Sequence, residues 1–259
     1  MKQNRKIFTI TGSVLLFTLA CAVLMPTPKP TALPTAAQEP TPTLVPTPTK
    51  IPPTATAEEK SEIDIEKQAD GTTLFTDTVG GYQLVFPENW ATMNMTEGGM
   101  DHVFDLFEQS NPEFSPGMLN IVKQLLVENT RAIALDTNTG HYSGDHMTAA
   151  YCVLDEQTGN FPLGYLVEAT VQSVPQQLPN VEIVSSDLTT NSNDVELGVI
   201  ELILDISDSA ENVHTVYERM LIFQNNDLTI IAVLVTHETL RDTVMEHFIQ
   251  IQDSISLLP

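Results

Sequence analysis

The residues best suited to do chemistry lie in one polar loop, residues 136–146, which combines two imidazoles with two carboxylates. Histidine nitrogen and aspartate oxygen are suitable zinc ligands, and the glycines of this loop would let it fold around an ion. The pattern predicts a metal site formed by His141, Asp145 and His146. The alternative is an exposed polar loop without a ligand, because the two histidines lack the spacing of a helical pair and thiolates are missing here.

The sequence gives weaker support for sites that would bind other ions. Asp136 begins a segment in the style of a calcium loop, but its twelfth position is Met147, where a glutamate ligand is needed. Met93, Met95 and Met100 could offer thioethers to Cu(I), although such methionines more often fill gaps under a loop. We therefore expect no cofactor and keep the metal site as an alternative.

The sequence motifs of common enzyme classes are absent. The chain has no Gly-x-Ser-x-Gly elbow, no His-Glu-x-x-His helix, no phosphate-binding glycine loop and no dinucleotide fingerprint. Cys152 lies in an apolar run, where a cysteine is usually a small buried side chain rather than a nucleophile. The sequence therefore predicts that the protein is not an enzyme.

The N-terminus has the pattern of an export signal. Three basic residues precede the apolar run Ile7–Ala20, which is too short to span a membrane. The segment Phe17–Cys21 resembles a bacterial lipobox, in which processing cuts before the cysteine and attaches acyl chains to it. We therefore predict a signal peptide at 1–20 and a lipid anchor on Cys21 at the extracytoplasmic face of the cell membrane. The alternatives are a chance cysteine in an ordinary export signal or an uncleaved anchor.

Residues 21–70 are predicted to form a lipidated, disordered stalk. Proline and threonine alternate from Met25 to Thr56 without apolar periodicity, so this tract should be extended, at about 3.1 Å per residue. The charged, weakly helical segment Glu58–Asp70 should join the stalk to the folded part. Residues 71–259 have a suitable size for a single domain with one core.

The predicted domain is strongly acidic. Residues 71–259 contain four basic and 27 acidic side chains, so their net charge of −23 equals that of the whole chain. A surface of this sign repels nucleic acid and anionic headgroups, which excludes a nucleic-acid role and direct docking of the domain on lipid. It favours cations or a basic partner, or serves only for solubility.

Periodicity places the elements of this domain. Strands are predicted at Thr72–Asp77, Tyr82–Phe86, Arg131–Leu135, Thr148–Leu154, Val181–Leu188, Glu196–Ser207, Val213–Phe223 and Leu228–Val235. Helices are predicted at Asp101–Gln109, from Ser115 to about Asn129, at Gly164–Leu178, and after a Thr236 cap to Leu258. This order indicates an α+β fold with helices covering an antiparallel sheet.

Two short motifs carry a family resemblance. The segment Gly81–Trp90, GYQLVFPENW, resembles the opening of PsbP-like domains, and Phe248–Ile255 resembles their final helix, so that the likeness covers residues from about 72 to 259. The resemblance implies an αβα sandwich, a central antiparallel sheet with helices on both faces. Trp90 is interpreted as a core or rim aromatic, since it follows the proline that ends a strand. It also implies non-enzymatic binding or assembly, the shared theme of photosystem II subunits, a factor that binds a small GTPase, and bacterial lipoproteins in that family. No site residue is carried over.

Three hypotheses follow from the sequence. The first is a surface lipoprotein whose acidic domain binds or helps to assemble another exported or membrane protein. The second is an exported metal-binding or hydrolytic domain that uses the loop from His141 to His146. The third is a structural envelope component without a specific ligand.

Overall fold

Antiparallel strands make up most of the domain. The computed structural model describes residues 61–96, 104–105, 109, 129–143, 146–178, 180–207 and 213–259. The strands are β1 (Ile63–Lys67), β2 (Thr73–Asp77), β3 (Tyr82–Phe86), β4 (Trp90–Asn94), β5 (Thr130–Asp136), β6 (Tyr142–Ser143), β7 (His146–Met147), β8 (Ala149–Asp155), β9 (Val181–Thr190), β10 (Glu196–Ser207), β11 (Val213–Asn225), β12 (Leu228–His237) and β13 (Ser256–Leu257). Two α-helices are described over their whole length, α1 (Leu163–Gln177) and α2 (Arg241–Ser254).

Several predicted features fall wholly or mostly outside these residues. They are the signal peptide, Cys21, the Pro/Thr stalk, the predicted helices at 101–109 and 115–129, and Asp145. The lipid anchor and the stalk therefore stay predictions. Within the described part of the chain, no helix is long and apolar enough to cross a membrane.

The strands form three antiparallel sheets. The largest has seven strands in the order β4-β5-β8-β12-β11-β10-β9, and a second has four in the order β1-β2-β3-β13. The third is the short pair β6-β7, which lies in the polar loop between β5 and β8. The large sheet therefore ends, among the described residues, in β4 on one side and β9 on the other.

Local turn chemistry explains the predicted hairpins, which are confirmed. Strands β11 and β12 pair from Val216↔His237 to Asn225↔Leu228, which leaves a two-residue turn in which Asn226 has a φ of 53°. Asparagine tolerates this left-handed conformation, so the turn closes without a glycine. Strands β2 and β3 also pair antiparallel, across the four residues 78–81, where Gly81 has a φ of 66°.

The two faces of the large sheet bury separate cores. On the first face, α1 places Leu166, Val167 and Val174 against β10 and β11. Gly198 of β10 permits this contact, because a Cβ there would lie 2.2 Å from a methyl group of Val167. The helix matches the prediction for Gly164–Leu178, and Pro175 lies within its last turn, where the helix is about to end.

On the second face, α2 and the four-stranded sheet pack together. Helix α2 buries Val244, Phe248 and Ile251, as the apolar spacing of the last predicted helix requires. Its predicted Thr236 cap is wrong, because Thr236 is the penultimate residue of β12. A 3-10 turn at Glu238–Leu240, capped by the His237 side chain, leads into the helix instead.

The predicted αβα sandwich is wrong, and the fold is predominantly β. Where the prediction placed a helical layer, the four-stranded sheet packs on the large sheet beside α2. The rings of Tyr82 and Phe223, from the two sheets, lie 5.4 Å apart in an edge-to-face contact. The alternating burial of β2 and β3 identifies them as strands, but this pattern does not reveal that they form a second sheet rather than extend the first.

The second sheet begins earlier than expected. The segment Glu58–Asp70, predicted to be weakly helical, contains strand β1, which pairs with β2 from Ile63↔Asp77 to Lys67↔Thr73. Ile63 is buried in the second core. Arg131 of β5 donates to Asp77 at 2.8 Å and to Glu62 at 3.1 Å, so that an ion pair also ties β1 and β2 to the large sheet.

Candidate functional site

One group of side chains has the composition and geometry of a metal centre. Asp136, His141 and His247 each offer a ligand atom, and these atoms all lie within 4.8 Å of one another. We call this group the Asp136 centre. Asp136 is the last residue of β5, His141 ends the 3-10 turn that follows it, and His247 comes from α2.

The loop after β5 is built around the carboxylate of Asp136. Its Oδ1 accepts from the backbone N–H of Asn138 at 2.9 Å, and Asn138 in turn caps the 3-10 turn by accepting from the backbone N–H of Gly140. This turn brings His141 Nδ1 to 2.5 Å from Asp136 Oδ2. One carboxylate oxygen therefore organises the backbone while the other faces the imidazoles.

Helix α2 supplies the third member from a distant part of the chain. His247 Nδ1 lies 3.5 Å from Asp136 Oδ2 and accepts a hydrogen bond of 3.3 Å from Trp90 Nε1, 157 residues earlier. An indole N–H can only donate, so this bond requires a lone pair on His247 Nδ1. A ring nitrogen with a lone pair is also the form that a metal ion needs.

The Asp136 centre is buried but not closed. The side chains of Asp136, His141 and His247 are 0%, 10% and 28% exposed, so the centre is accessible from the side of His247. Thr148 extends the polar contacts inward, since its hydroxyl donates to the His141 carbonyl and shares a 2.8 Å hydrogen bond with Thr236. Two imidazoles, one carboxylate and partial solvent access can hold a transition metal with an open coordination position.

The second predicted histidine lies elsewhere. His146 is in β7, where its ring centroid is 3.9 Å from that of His214 and 5.8 Å from that of His237. We call these three residues the His146 cluster. The structure therefore brings His141 together with Asp136 and His247 rather than with His146, while Asp145 lies outside the described residues.

Two buried titratable side chains of the large sheet, Cys152 and Glu218, are poorly suited to nucleophilic chemistry. Burial raises the pKa of the Cys152 thiol to about 12, which agrees with the predicted small buried side chain. Burial likewise raises the pKa of Glu218 to about 7, on the face of β11 that carries the first core. Both groups are more than nine-tenths buried, and neither is placed to meet a substrate.

A second region with functional features is the outer edge of the large sheet. Strand β9 pairs with β10 alone among the described residues, and its side chains from Ser186 to Thr190 are all exposed. Leu188 is 60% exposed, and Tyr165 in the first turn of α1 is 56% exposed and stacks on Phe161. We call the outer edge of β9, with Phe161, Tyr165 and Leu188, the β9 surface.

A groove accompanies this surface. Its volume is about 290 Å³, and it runs between the start of α1 and the end of the β9-β10 hairpin. The lining residues are Leu163, Gly164, Leu188, Thr189, Thr190, Glu196 and Leu197. Gly164 lies close to Leu188 in this groove, since a Cβ at that position would be 3.3 Å from a Leu188 methyl group.

The arginines of the described chain are engaged in internal contacts. Arg131 pairs with Asp77 and Glu62, and Arg219 pairs with Glu201. Arg241 lies 3.5 Å from Glu201 and over the ring of Tyr217. Because these guanidinium groups are used within the fold, the acidic groups on the surface of the described residues have few arginine neighbours.

Comparison with known proteins finds solved structures that resemble this one only at low sequence identity and low TM-score. No known family and no curated protein matches the sequence. Similar solved structures include PsbP from Synechocystis (14% identity, TM-score 0.44, covering 73% of this chain and 94% of that one). They also include LpqN of Mycobacterium tuberculosis, a protein involved in cell envelope biogenesis (10%, 0.40, 77% and 93%), and the Ran-binding protein Mog1p of Saccharomyces cerevisiae (7%, 0.41, 70% and 92%). A PsbP structure is thus among the similar ones, as the sequence resemblance led us to expect, but TM-scores below 0.5 carry no argument about family or function.

Proposed function

We propose that this chain is a lipid-anchored, non-enzymatic binding protein of the extracytoplasmic membrane face, whose domain engages another exported or membrane protein. The lipobox-like segment ending at Cys21 and the Pro/Thr stalk support the anchored location. The observation that carries the binding role is the β9 surface. It offers a strand edge that no other described strand covers, and exposed apolar side chains on a protein that is otherwise rich in surface charge.

The shape of the β9 surface suits an extended segment of the partner. An edge strand presents unpaired backbone N–H and C=O groups, and an added strand satisfies them while its alternate side chains enter neighbouring pockets. On this domain the pocket would be the groove beside Leu188, and the stacked rings of Phe161 and Tyr165 belong to the same stretch of chain as its lining residues Leu163 and Gly164. Aromatic side chains of this kind are enriched at the contact points of protein interfaces.

Charge indicates the composition of that segment. Glu182 and Asp187 of β9 and Glu196 at the groove are all exposed, and the described arginines are engaged elsewhere in the fold. A partner segment that alternates apolar residues with lysine or arginine would complement this edge, and its encounter rate would fall as salt is added.

Site-specific crosslinking tests the proposal in intact cells. A photoreactive residue at Leu188 should trap one dominant envelope protein, whereas the same residue at Ile249, an equally apolar and 45% exposed position on α2, should not. Adding Leu188→Glu to a chain that carries the crosslinker at Val184 should abolish capture, because it removes an apolar contact and places a charge where a side chain of the partner would bury it. Equal capture at Leu188 and Ile249, or no capture at either, would favour a structural envelope component without a specific ligand.

A further inference from the structure

We propose that the Asp136 centre binds a divalent transition metal ion of the zinc class, with Asp136, His141 and His247 as its protein ligands. This site goes beyond the proposed partner binding and is independent of it. Its ligands come from a strand end, a 3-10 turn and a helix, so only the folded domain brings them together.

The distances fit an ion after a small adjustment. Zinc lies about 2.0–2.1 Å from imidazole nitrogen and carboxylate oxygen, which separates neighbouring tetrahedral ligands by roughly 3.3 Å. His247 Nδ1 is already 3.5 Å from Asp136 Oδ2. His141 Nδ1 is closer to Asp136 Oδ2, at 2.5 Å, which is the separation of a short hydrogen bond. Metal binding would replace that hydrogen bond and move the two groups apart by about 1 Å.

The donor set selects the class of ion. Calcium and magnesium prefer sites made of oxygen ligands, and Cu(I) prefers sulfur, whereas two imidazoles and a carboxylate suit Zn²⁺ and its neighbours. The backbone N–H of Asn138 holds the other oxygen of Asp136, which orients the carboxylate in the way that outer groups orient ligands in metal sites. Three protein ligands leave one position for water or for a group from a partner.

Trp90 gives the site its own reporter. Its indole N–H donates to the His247 nitrogen that would bind the ion, so zinc and Trp90 compete for one lone pair. Trp90 is the sole tryptophan of the chain. The intrinsic fluorescence of the protein therefore reports on this centre.

The test is a zinc titration of the full-length chain in detergent, followed by tryptophan fluorescence and by metal analysis after dialysis. We expect a saturable change in emission at one zinc per chain and no change when calcium is added at the same concentration. Absence of zinc binding at micromolar concentrations would overturn the proposal.

Matched variants locate the ion. His247→Asn should weaken zinc binding by more than about tenfold, the loss that even an outer-shell change can cause. His237→Asn makes the same replacement in the His146 cluster, where asparagine can still cap the following turn, and should leave the affinity unchanged. Circular dichroism confirms that both variants are folded. Unchanged affinity in His247→Asn, or lost affinity in His237→Asn, would assign the ion to another site and contradict the proposal.

Discussion

The Asp136 centre and the β9 surface lie near opposite edges of the same sheet and present opposite kinds of chemistry. Asp136 ends the second strand in the spatial order and β9 is the seventh, which separates them by about 24 Å at about 4.8 Å per strand. The centre is polar, largely buried and fixed by hydrogen bonds. The β9 surface is exposed, combines apolar with acidic side chains, and is bounded by a strand edge that no other described strand pairs with.

The two regions therefore suit different classes of ligand. A small buried group of fixed side chains suits an ion, since rigid placement of a few donors determines metal affinity. An exposed edge suits a polypeptide, which supplies the missing strand and covers apolar side chains. Groups this far apart usually contribute additively, so substitutions in one region should leave the other unchanged.

The anchor offers the largest expected effect. Cys21→Ser removes the predicted acylation site, and the protein should move from the membrane fraction to the soluble fraction almost completely. Fractionation of cells followed by immunoblotting measures this change. The released chain should still bind zinc and should still crosslink to its partner through the β9 surface. Failure of both would show that the two regions depend on the membrane.

Glu218 extends the comparison with the Asp136 centre, because it is a buried carboxyl without the hydrogen-bond partners that Asp136 has. Its folded pKa of about 7 lies above the ordinary value of 4.5, so ionisation is unfavourable in the folded state. Below pH 4.5 this group costs no stability, and the free energy of unfolding should fall as the pH rises from 4.5 to 7 and then level off.

Glu218→Gln should therefore stabilise the protein by about 3 kcal/mol at pH 8 and by little at pH 4.5. Urea unfolding at the two pH values measures this difference. An equal gain at both would trace the effect to packing rather than to charge. Leu188→Gln serves as the control, because this exposed position should show no pH-dependent change.

Trp90→Phe tests the competition at the Asp136 centre. Loss of the hydrogen bond to His247 should raise zinc affinity by about two- to tenfold, the equivalent of 0.5–1.5 kcal/mol for one such bond. Calorimetric titration measures it, since the fluorescent reporter is removed. A fall in affinity would mean that the indole positions His247 for the ion rather than competing with it.

Leu188→Glu should have the smallest effect on stability, within about 0.5 kcal/mol, because the side chain is mostly exposed. The same change should abolish partner capture at the β9 surface. Chemical denaturation beside crosslinking checks both statements. A large loss of stability would show that Leu188 is part of the core contact with α1, and would remove the reason to treat it as a binding residue.

The sequence predicted features that depend on neighbours in the chain and missed those that depend on the fold. Alternating residues and a polar turn identified the β11-β12 hairpin, and the apolar spacing of α1 identified that helix. His141 was predicted as a ligand from its loop, and the structure places it beside Asp136 and His247. His247 was missed because it lies on an amphipathic helix whose pattern reflects packing only. His146 was grouped with His141 because they are close in sequence, although β7 carries it to other histidines.

The same limitation explains the error in the fold class. Burial alternates along β2 and β3 as it does along any strand with one covered face. Which sheet such a strand joins is decided by long-range contacts, here the packing of Tyr82 on Phe223 and the Arg131 ion pair with Asp77. Neither contact has a local signal in the sequence.

If the stalk is a tether, the ion pairs of Arg131 affect how the domain resists a pulling force. Tension along residues 21–60 would enter the folded domain just before β1, the outer strand of the smaller sheet, at the position of Glu62. If β1 were pulled away from the sheet by itself, its backbone hydrogen bonds would break one after another. Because Arg131 pairs with both Glu62 and Asp77, such a force would be shared between β1, β2 and the large sheet, and the domain would resist unfolding from this end.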